Sequence, residues 1–294
     1  MGRPLIFGEV VFDIYPDGRK VLGGAPFNVA WHLRGFGLDP LMLSCVGRDE
    51  NGQRVIDRMK AWGMDLSGIE RSADYPTGTV RVTYENGEPD FNILPDQAYD
   101  FIKLENGLPE ITKNQSADIL YHGSLALREQ ISRDTFLRIA DATGVPIFLD
   151  VNLRDPWWRA KNIEQMIKNA RWLKLNDDEL CTLCGGDGPK EAGELQRAYD
   201  LDALIVTKGG QGAFVLTKAG ELYAVKASED VEIVDTVGAG DAFSSVCLLS
   251  LIHKWPWPRA LEKAADFAAR LCRIKGATTE DKSLYASMKN PSCF

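Results

Sequence analysis

The segment VDTVGAGDAF, Val234 to Phe243, sets Gly238, Ala239 and Gly240 directly before Asp241 and ahead of a long apolar run. In its wider context, VEIVDTVGAGDAFSSVCLLSLI, it reads as a strand, a turn and a helix. Residues with little or no side chain leave their backbone N–H groups open to a ligand. At a helix N-terminus those donors are unsatisfied, and the macrodipole favours negative charge there. Asp241 then falls in the first turn, where local physics allows two roles: a helix cap, or a base at the lip of an anion-binding cradle. The apolar side chains of Phe243, Val246, Leu248 and Leu249 would anchor the loop in place. Phosphoryl transfer needs such pre-organisation, because it relies on positioning and charge stabilisation.

Three further stretches could join it. In GGAPFNVA, Gly23 to Ala30, the glycines (Gly24 among them) permit close backbone approach, and Asn28 offers a donor and an acceptor to a hydroxyl-rich ligand. Asp13, at the end of the first expected strand, would point into the same crevice. In LKLNDDEL, Asn176 and Glu179 share one side of a helix start, where magnesium waters or phosphates could be held, although a helix cap followed by acids has the same spacing. VTKGGQG, with Thr207, Gly209 and Gly212, is a glycine-rich turn after an apolar strand, suited to a phosphate or nucleotide and equally to a plain turn.

Other chemistries lack their residues. There is no G-x-x-x-x-G-K-[ST] loop, no G-x-S-x-G elbow, and no G-x-G-x-x-G after the first strand. His32, His122 and His253 have no suggestive partner nearby in sequence, and Cys181 and Cys184 in CTLC lack a second ligand pair, so helix-spaced packing is expected of them.

The elements that must position these residues follow a βα rhythm. LIFGEVVFDI, LMLSCVG, DILYHGSL, PIFLDVN, WLKLN and ALIVTKG read as strands, with helical patterns between them. The expected fold is α/β, a doubly wound, mostly parallel sheet covered on both faces. PTGTVRVTYENGEPDFNIL breaks the rhythm as two strand-like runs joined at Asn86-Gly87, and YPDGRKV holds a second turn at Asp17-Gly18. Both are read as a small β lid, about 13–22 and 76–101, on a single domain spanning 1–294. Such a lid over the carboxyl ends of parallel strands would exclude water.

The 294 residues carry a net charge of −8, with 45% hydrophobic and 26% charged side chains. That balance argues against a nucleic-acid or anionic-membrane partner. No apolar run approaches the ~18–20 residues of a membrane span. The N-terminus reads as a strand rather than a signal peptide, and six dispersed cysteines suggest reduced thiols in a cytoplasmic protein.

Taken in order, GGAPFNVA, N-D-D-E, T-K-G-G-Q-G and DTVGAGDAF resemble the ribokinase-like, or phosphofructokinase-B type, carbohydrate kinases, over about residues 5 to 277. The resemblance implies transfer of the γ-phosphate of ATP to a sugar hydroxymethyl group. It makes Asp241 the base and Gly238, Ala239 and Gly240 the anion hole. Asn176 and Glu179 then place Mg2+ and the phosphates. Thr207, Gly209 and Gly212 form the nucleotide loop, and Gly276 and Ala277 in KGAT flank the adenine. Asp235 and the Val237 carbonyl match positions that bind K+ in many members. Asp13, Gly24 and Asn28 match sugar-holding positions, and the lid often supplies a homodimer interface.

GEVVFDIYP, GGAPFNVAWHL, PTGTV and G-x-P-D-F-x-I, with Phe91, look most like bacterial fructokinases. DVNLRDPWW, with Arg154, is shared with 2-keto-3-deoxygluconate kinases, but the lid lacks their tyrosine- and arginine-rich pattern. Fructose is therefore preferred over the keto-deoxy acid, and both over ribose or a nucleoside. A 6-phosphofructokinase would want a basic cluster that is missing. A sugar-binding regulatory protein of this fold would not be expected to retain Asp241 with its glycines, and a dinucleotide oxidoreductase would want the fingerprint glycines.

Overall fold

The computed structural model describes residues 2–85, 88–104, 117–227 and 232–288. The Asn86-Gly87 turn and Cys293 lie outside the described residues.

The first strand is shorter than expected. β1 (Arg3–Phe7) ends at Gly8, where an added Cβ would meet Pro26 Cγ at 2.3 Å, and the chain turns there. LIFGEVVFDI is thus two strands, and the second, β2 (Val11–Ile14), leaves the main sheet. It pairs antiparallel with β3 (Lys20–Gly23) across a turn at Gly18. Asp13 consequently belongs to β2, in the small sheet, and not to the end of the first strand.

Beyond it come α1 (Ala25–Gly35), β4 (Leu41–Gly47), α2 (Glu50–Ala61) and β5 (Ile69–Ser72). β6 (Gly78–Glu85) and β7 (Glu88–Ile93) form an antiparallel pair, and β6 lies parallel to β2. These strands make a small sheet in the order β3-β2-β6-β7. The chain then runs through β8 (Ala117–His122), α3 (Gln130–Thr143), β9 (Ile147–Asp150), α4 (Ala160–Asn169), β10 (Trp172–Asn176), α5 (Asp177–Cys184) and α6 (Pro189–Ala198). It continues with β11 (Ala203–Thr207), β12 (Ala213–Thr217), β13 (Leu222–Val225), α7 (Ala239–Ile252), α8 (Trp257–Leu271) and the short α9 (Lys282–Tyr285).

The large sheet has the order β13-β12-β11-β10-β9-β8-β1-β4-β5, parallel from β5 to β11 and antiparallel beyond. Side-chain alternation splits its core in two. Leu5, Phe7, Leu149, Leu173 and Leu175 pack with Phe136 and Ile163 on one face. Ile6, Phe148 and Ile205 pack with Phe27, Trp31, Val246 and Phe267 on the other. Helix α7 is buried from Ala242 to Ser250, which suits a helix between the sheet and its neighbours α1 and α8.

The described residues of VEIVDTV, 232–237, do not form the expected strand; the N–H groups of Val234 and Asp235 both donate to the Cys272 carbonyl, at 2.8 and 3.1 Å. Of the CTLC pair, only Cys184 packs against the core, while Cys181 is exposed. Among the described residues, no helix is long and apolar enough to cross a membrane.

Candidate active site

From β1 the chain steps to β4 on one side and later returns to β8 on the other, so the crevice beside β1 lies where the strand order reverses. Open parallel sheets bind ligands at that place, beyond the carboxyl ends of the strands. A cavity of about 1220 Å³ opens there. Pockets for one small ligand run to roughly 300–1,000 Å³, so this one has room for two.

At its centre α7 begins on Gly238, whose φ of +80° places it in the left-handed region. A Cβ at Gly238 would lie 2.4 Å from Ala277 Cβ, so the glycine is required by both conformation and close approach. Asp241 does not cap the helix. Its Oδ2 accepts a hydrogen bond from Asn28 Nδ2 at 2.8 Å, a contact spanning 213 residues of sequence. Burial pushes the Asp241 carboxyl up to about 6; Asp150 adds to the rise, while Asn28, Lys174 and Arg154 oppose it.

The cradle is narrower than three open donors. Ala239 N–H donates to the Thr236 carbonyl at 3.2 Å, closing the turn. The N–H groups of Gly238, Gly240 and Asp241 have no such partner among the described residues. Asp235 staples the loop beneath, with Oδ1 accepting from Val237 N at 3.0 Å and Oδ2 from Gly276 N at 2.9 Å.

Asn28 is held by α1, which starts at Gly24 with φ +107°. A Cβ at Gly24 would lie 2.7 Å from the Glu9 carbonyl oxygen. Asn28 Oδ1 is buried and unpartnered, so half of its amide is still to be satisfied. Asp13 faces the same space, and burial pushes its carboxyl up to about 6 against the pull of Arg154. From the small sheet, Tyr84 and Phe91 line the cavity while remaining largely exposed, at 55% and 42%.

Asn176 and Glu179 form a full capping box on α5. Asn176 Oδ1 accepts from Glu179 N at 2.8 Å, and Glu179 Oε2 accepts from Asn176 N at 2.9 Å. Glu179 Oε1 accepts from Leu153 N at 2.8 Å. With each carboxylate oxygen already holding a backbone N–H, the pair fits a magnesium ion that keeps its waters better than one ligated directly. Thr207 ends β11, and Gly212, with φ +104°, passes so close to the Val225 carbonyl that a Cβ would overlap it.

The cavity is lined by Asp13, Gly24, Asn28, Phe91, Arg154, Asn176, Glu179, Thr207, Gly209, Gly212, Asp235, Val237, Gly238, Ala239, Gly240, Asp241, Gly276 and Ala277. The structure thus gathers every residue singled out from the sequence. Among the further lining residues are three buried ionisable groups that sequence reasoning missed, Glu9, Asp150 and Lys174. Glu9 is buried with Oε2 unpartnered, and burial pushes it up to about 7. A lone lysine inside the apolar strand WLKLN was the available signal for Lys174. The histidines stay outside the site; burial drives His32 down to about 3 and His122 to about 4.

Residues 8–283 match the family model described as pfkB family carbohydrate kinase. The chain belongs to that family. It is similar to probable fructokinase-7 of Arabidopsis thaliana, 34% identical over 272 residues that cover 83% of this chain and 77% of the relative. Similarity to aminoimidazole riboside kinase of Salmonella typhimurium is 28% over 294 residues, covering 95% and 90% of the two chains. Among solved structures, the fructokinase of Vibrio cholerae O395 with fructose, ADP and calcium ion bound superposes with a TM-score of 0.83. It is 26% identical, with 97% of this chain and 98% of that one covered. The two-sheet α/β architecture of this pfkB kinase is therefore the one its solved relatives share.

Proposed function

We propose that this pfkB kinase transfers the γ-phosphate of ATP to the hydroxymethyl group of D-fructose, giving fructose 6-phosphate. The observation that carries the reading is the 2.8 Å hydrogen bond between Asn28 and Asp241. It joins the polar group of the acceptor end to a carboxylate at a helix mouth with open N–H donors. In this reading Asp13, Gly24, Asn28, Phe91 and Arg154 hold the sugar. Asp241 Oδ takes the hydroxyl proton late, so a carboxylate ionised near neutral pH is sufficient. Gly238 and Gly240, shaped by Ala239, direct N–H groups at the transferring group. Thr207, Gly209, Gly212, Gly276 and Ala277 hold the nucleotide. Asn176 and Glu179 hold Mg2+ through its waters, and the ion neutralises phosphate charge when bound. Asp235 and the Val237 carbonyl are the residues for K+.

In the same reading the whole chain, 1–294, acts as one domain with a lid at 13–22 and 76–101, and it works in the cytoplasm, where ATP is at hand. The exposed Tyr84 and Phe91 supply an apolar lid face through which a homodimer could form. Light scattering of the wild type against a Tyr84→Lys variant checks that face.

Fructose is supported by the fructokinase relatives. A 2-keto-3-deoxy sugar acid is the second reading, because the exposed cation Arg154 acts electrostatically on both Asp13 and Glu9 and could equally meet a carboxylate. A coupled ADP-release screen over fructose, mannose, glucose, ribose, 2-keto-3-deoxygluconate, adenosine and fructose 6-phosphate decides. Fructose should give the highest kcat/KM. A preference of about tenfold for the keto acid, roughly 1.4 kcal/mol of transition-state binding, would replace it.

A further inference from the structure

The cavity floor holds a charge pair that the roles above leave unused. Asp150 and Lys174 are register partners on the adjacent parallel strands β9 and β10, so both side chains emerge on the same face. Leu149, Leu173 and Leu175 occupy the opposite face, which turns the pair toward α7. Lys174 Nζ donates to Asp150 Oδ1 and Oδ2 at 2.9 and 3.0 Å, and the side chains are only 7% and 3% exposed. Ser244 Oγ donates to Asp150 Oδ2 at 2.6 Å and lies 3.0 Å from the Gly240 carbonyl, linking the pair to the cradle.

Burying two ions costs several kcal/mol each before their attraction is counted, and an apolar pair would pack as well. The geometry suggests a use for the cost. An ammonium has three hydrogens, Asp150 takes at most two, and Nζ makes no other hydrogen bond among the described residues. A Cβ built on Gly240 would lie 3.5 Å from Lys174 Nζ. The ammonium therefore lies beside Gly240 of the cradle and lines the cavity.

We infer that Lys174 is a further catalytic residue, whose Asp150-held ammonium contacts the transferring phosphoryl group from beneath Gly240 and takes up charge that builds there in the transition state. The inference rests on the phosphoryl-transfer reading above. The ammonium stays protonated throughout and no bond to it forms or breaks. It adds a full charge beside a cradle whose own backbone donors are neutral dipoles.

The test compares the wild type with Lys174→Met, Lys174→Arg and the double variant Lys174→Met/Asp150→Asn, which leaves no ion buried alone. Steady-state kinetics on the wild type's best acceptor are measured beside thermal melts. Binding of ADP is measured with and without aluminium fluoride, a mimic of the transferring phosphoryl. Lys174→Met and the double variant should lose about 100-fold or more in kcat with each KM shifted less than about fivefold, and Lys174→Arg should recover about tenfold of that loss. Aluminium fluoride should tighten ADP binding in the wild type and not in Lys174→Met. A kcat within about threefold of wild type in either folded neutral variant, or an undiminished aluminium fluoride effect, overturns the assignment. If the wild type phosphorylates no acceptor in the panel, the proposed function fails, and the aluminium fluoride arm still decides whether Lys174 meets the phosphoryl position.

Discussion

β1, β4 and β8 to β11 bury nearly every side chain between two helical layers, whereas β6 and β7 bury Val80, Val82 and Ile93 but leave Tyr84 and Phe91 in solvent. Both sheets border the same cavity. From the large sheet and the helices packed on it come the groups whose position must hold to a fraction of an ångström: Asp150, Lys174, Asn176, Thr207 and, through α7, the glycine cradle and Asp241. The small sheet contributes Asp13 and the half-exposed rings of Tyr84 and Phe91. Groups locked by packing suit the chemical step, and groups on a half-exposed sheet suit selection and exclusion of water. The comparison predicts that substitutions on the large-sheet side cut kcat, and that those on the small-sheet side act on the acceptor's KM.

The sharpest break is Asp241→Asn, which should lower kcat by about 10³-fold with an unchanged melting temperature. Undiminished phosphorylation would remove the base assignment. Next come the two glycines, which separate backbone need from ligand space. Gly238→Ala meets Ala277 at 2.4 Å in a left-handed conformation, and should cost about 1–3 kcal/mol of stability as well as about 10²-fold in kcat. Gly240→Ala finds only the Lys174 Nζ at 3.5 Å, so it should fold normally and lose activity alone. Denaturant titration beside kinetics distinguishes them.

The pH profile follows from Asp241. Burial raises its carboxyl from 3.8 to about 6, and a base must be deprotonated to act. The kcat/KM should therefore plateau above about pH 6 and fall about tenfold per unit below it. Asn28→Ala removes a hydrogen bond that favours the charged carboxylate, so the acidic limb should move to higher pH. The same variant should raise the acceptor KM about tenfold and leave the ATP KM alone. Phe91→Ala should have the smallest effect, a rise of about two- to fivefold in acceptor KM with no loss of stability, since the ring is 42% exposed.

The βα rhythm and the small sheet that breaks it were legible in the sequence because each depends on neighbouring residues. Alternation, Gly-rich turns and N-x-x-E spacing all operate within one element or one turn. The misreadings had one cause. LIFGEVVFDI and VEIVDTV have strand composition, but Gly8 is crowded by Pro26, and residues 232–237 turn to the Cys272 carbonyl. In each case a distant contact overrode local propensity.

VDTVGAGDAF by itself determined that small residues precede an aspartate at a helix start, because chirality, glycine's freedom and helix polarity are local. Only the tertiary structure decided which groups meet that aspartate. Asn28 draws Asp241 away from capping, Thr236 occupies the Ala239 donor, and the Lys174–Asp150 pair closes the floor. Asn28, Asp150 and Lys174 lie tens to hundreds of residues from that segment, and only the packing of α1 and α7 against the sheet brings them to it.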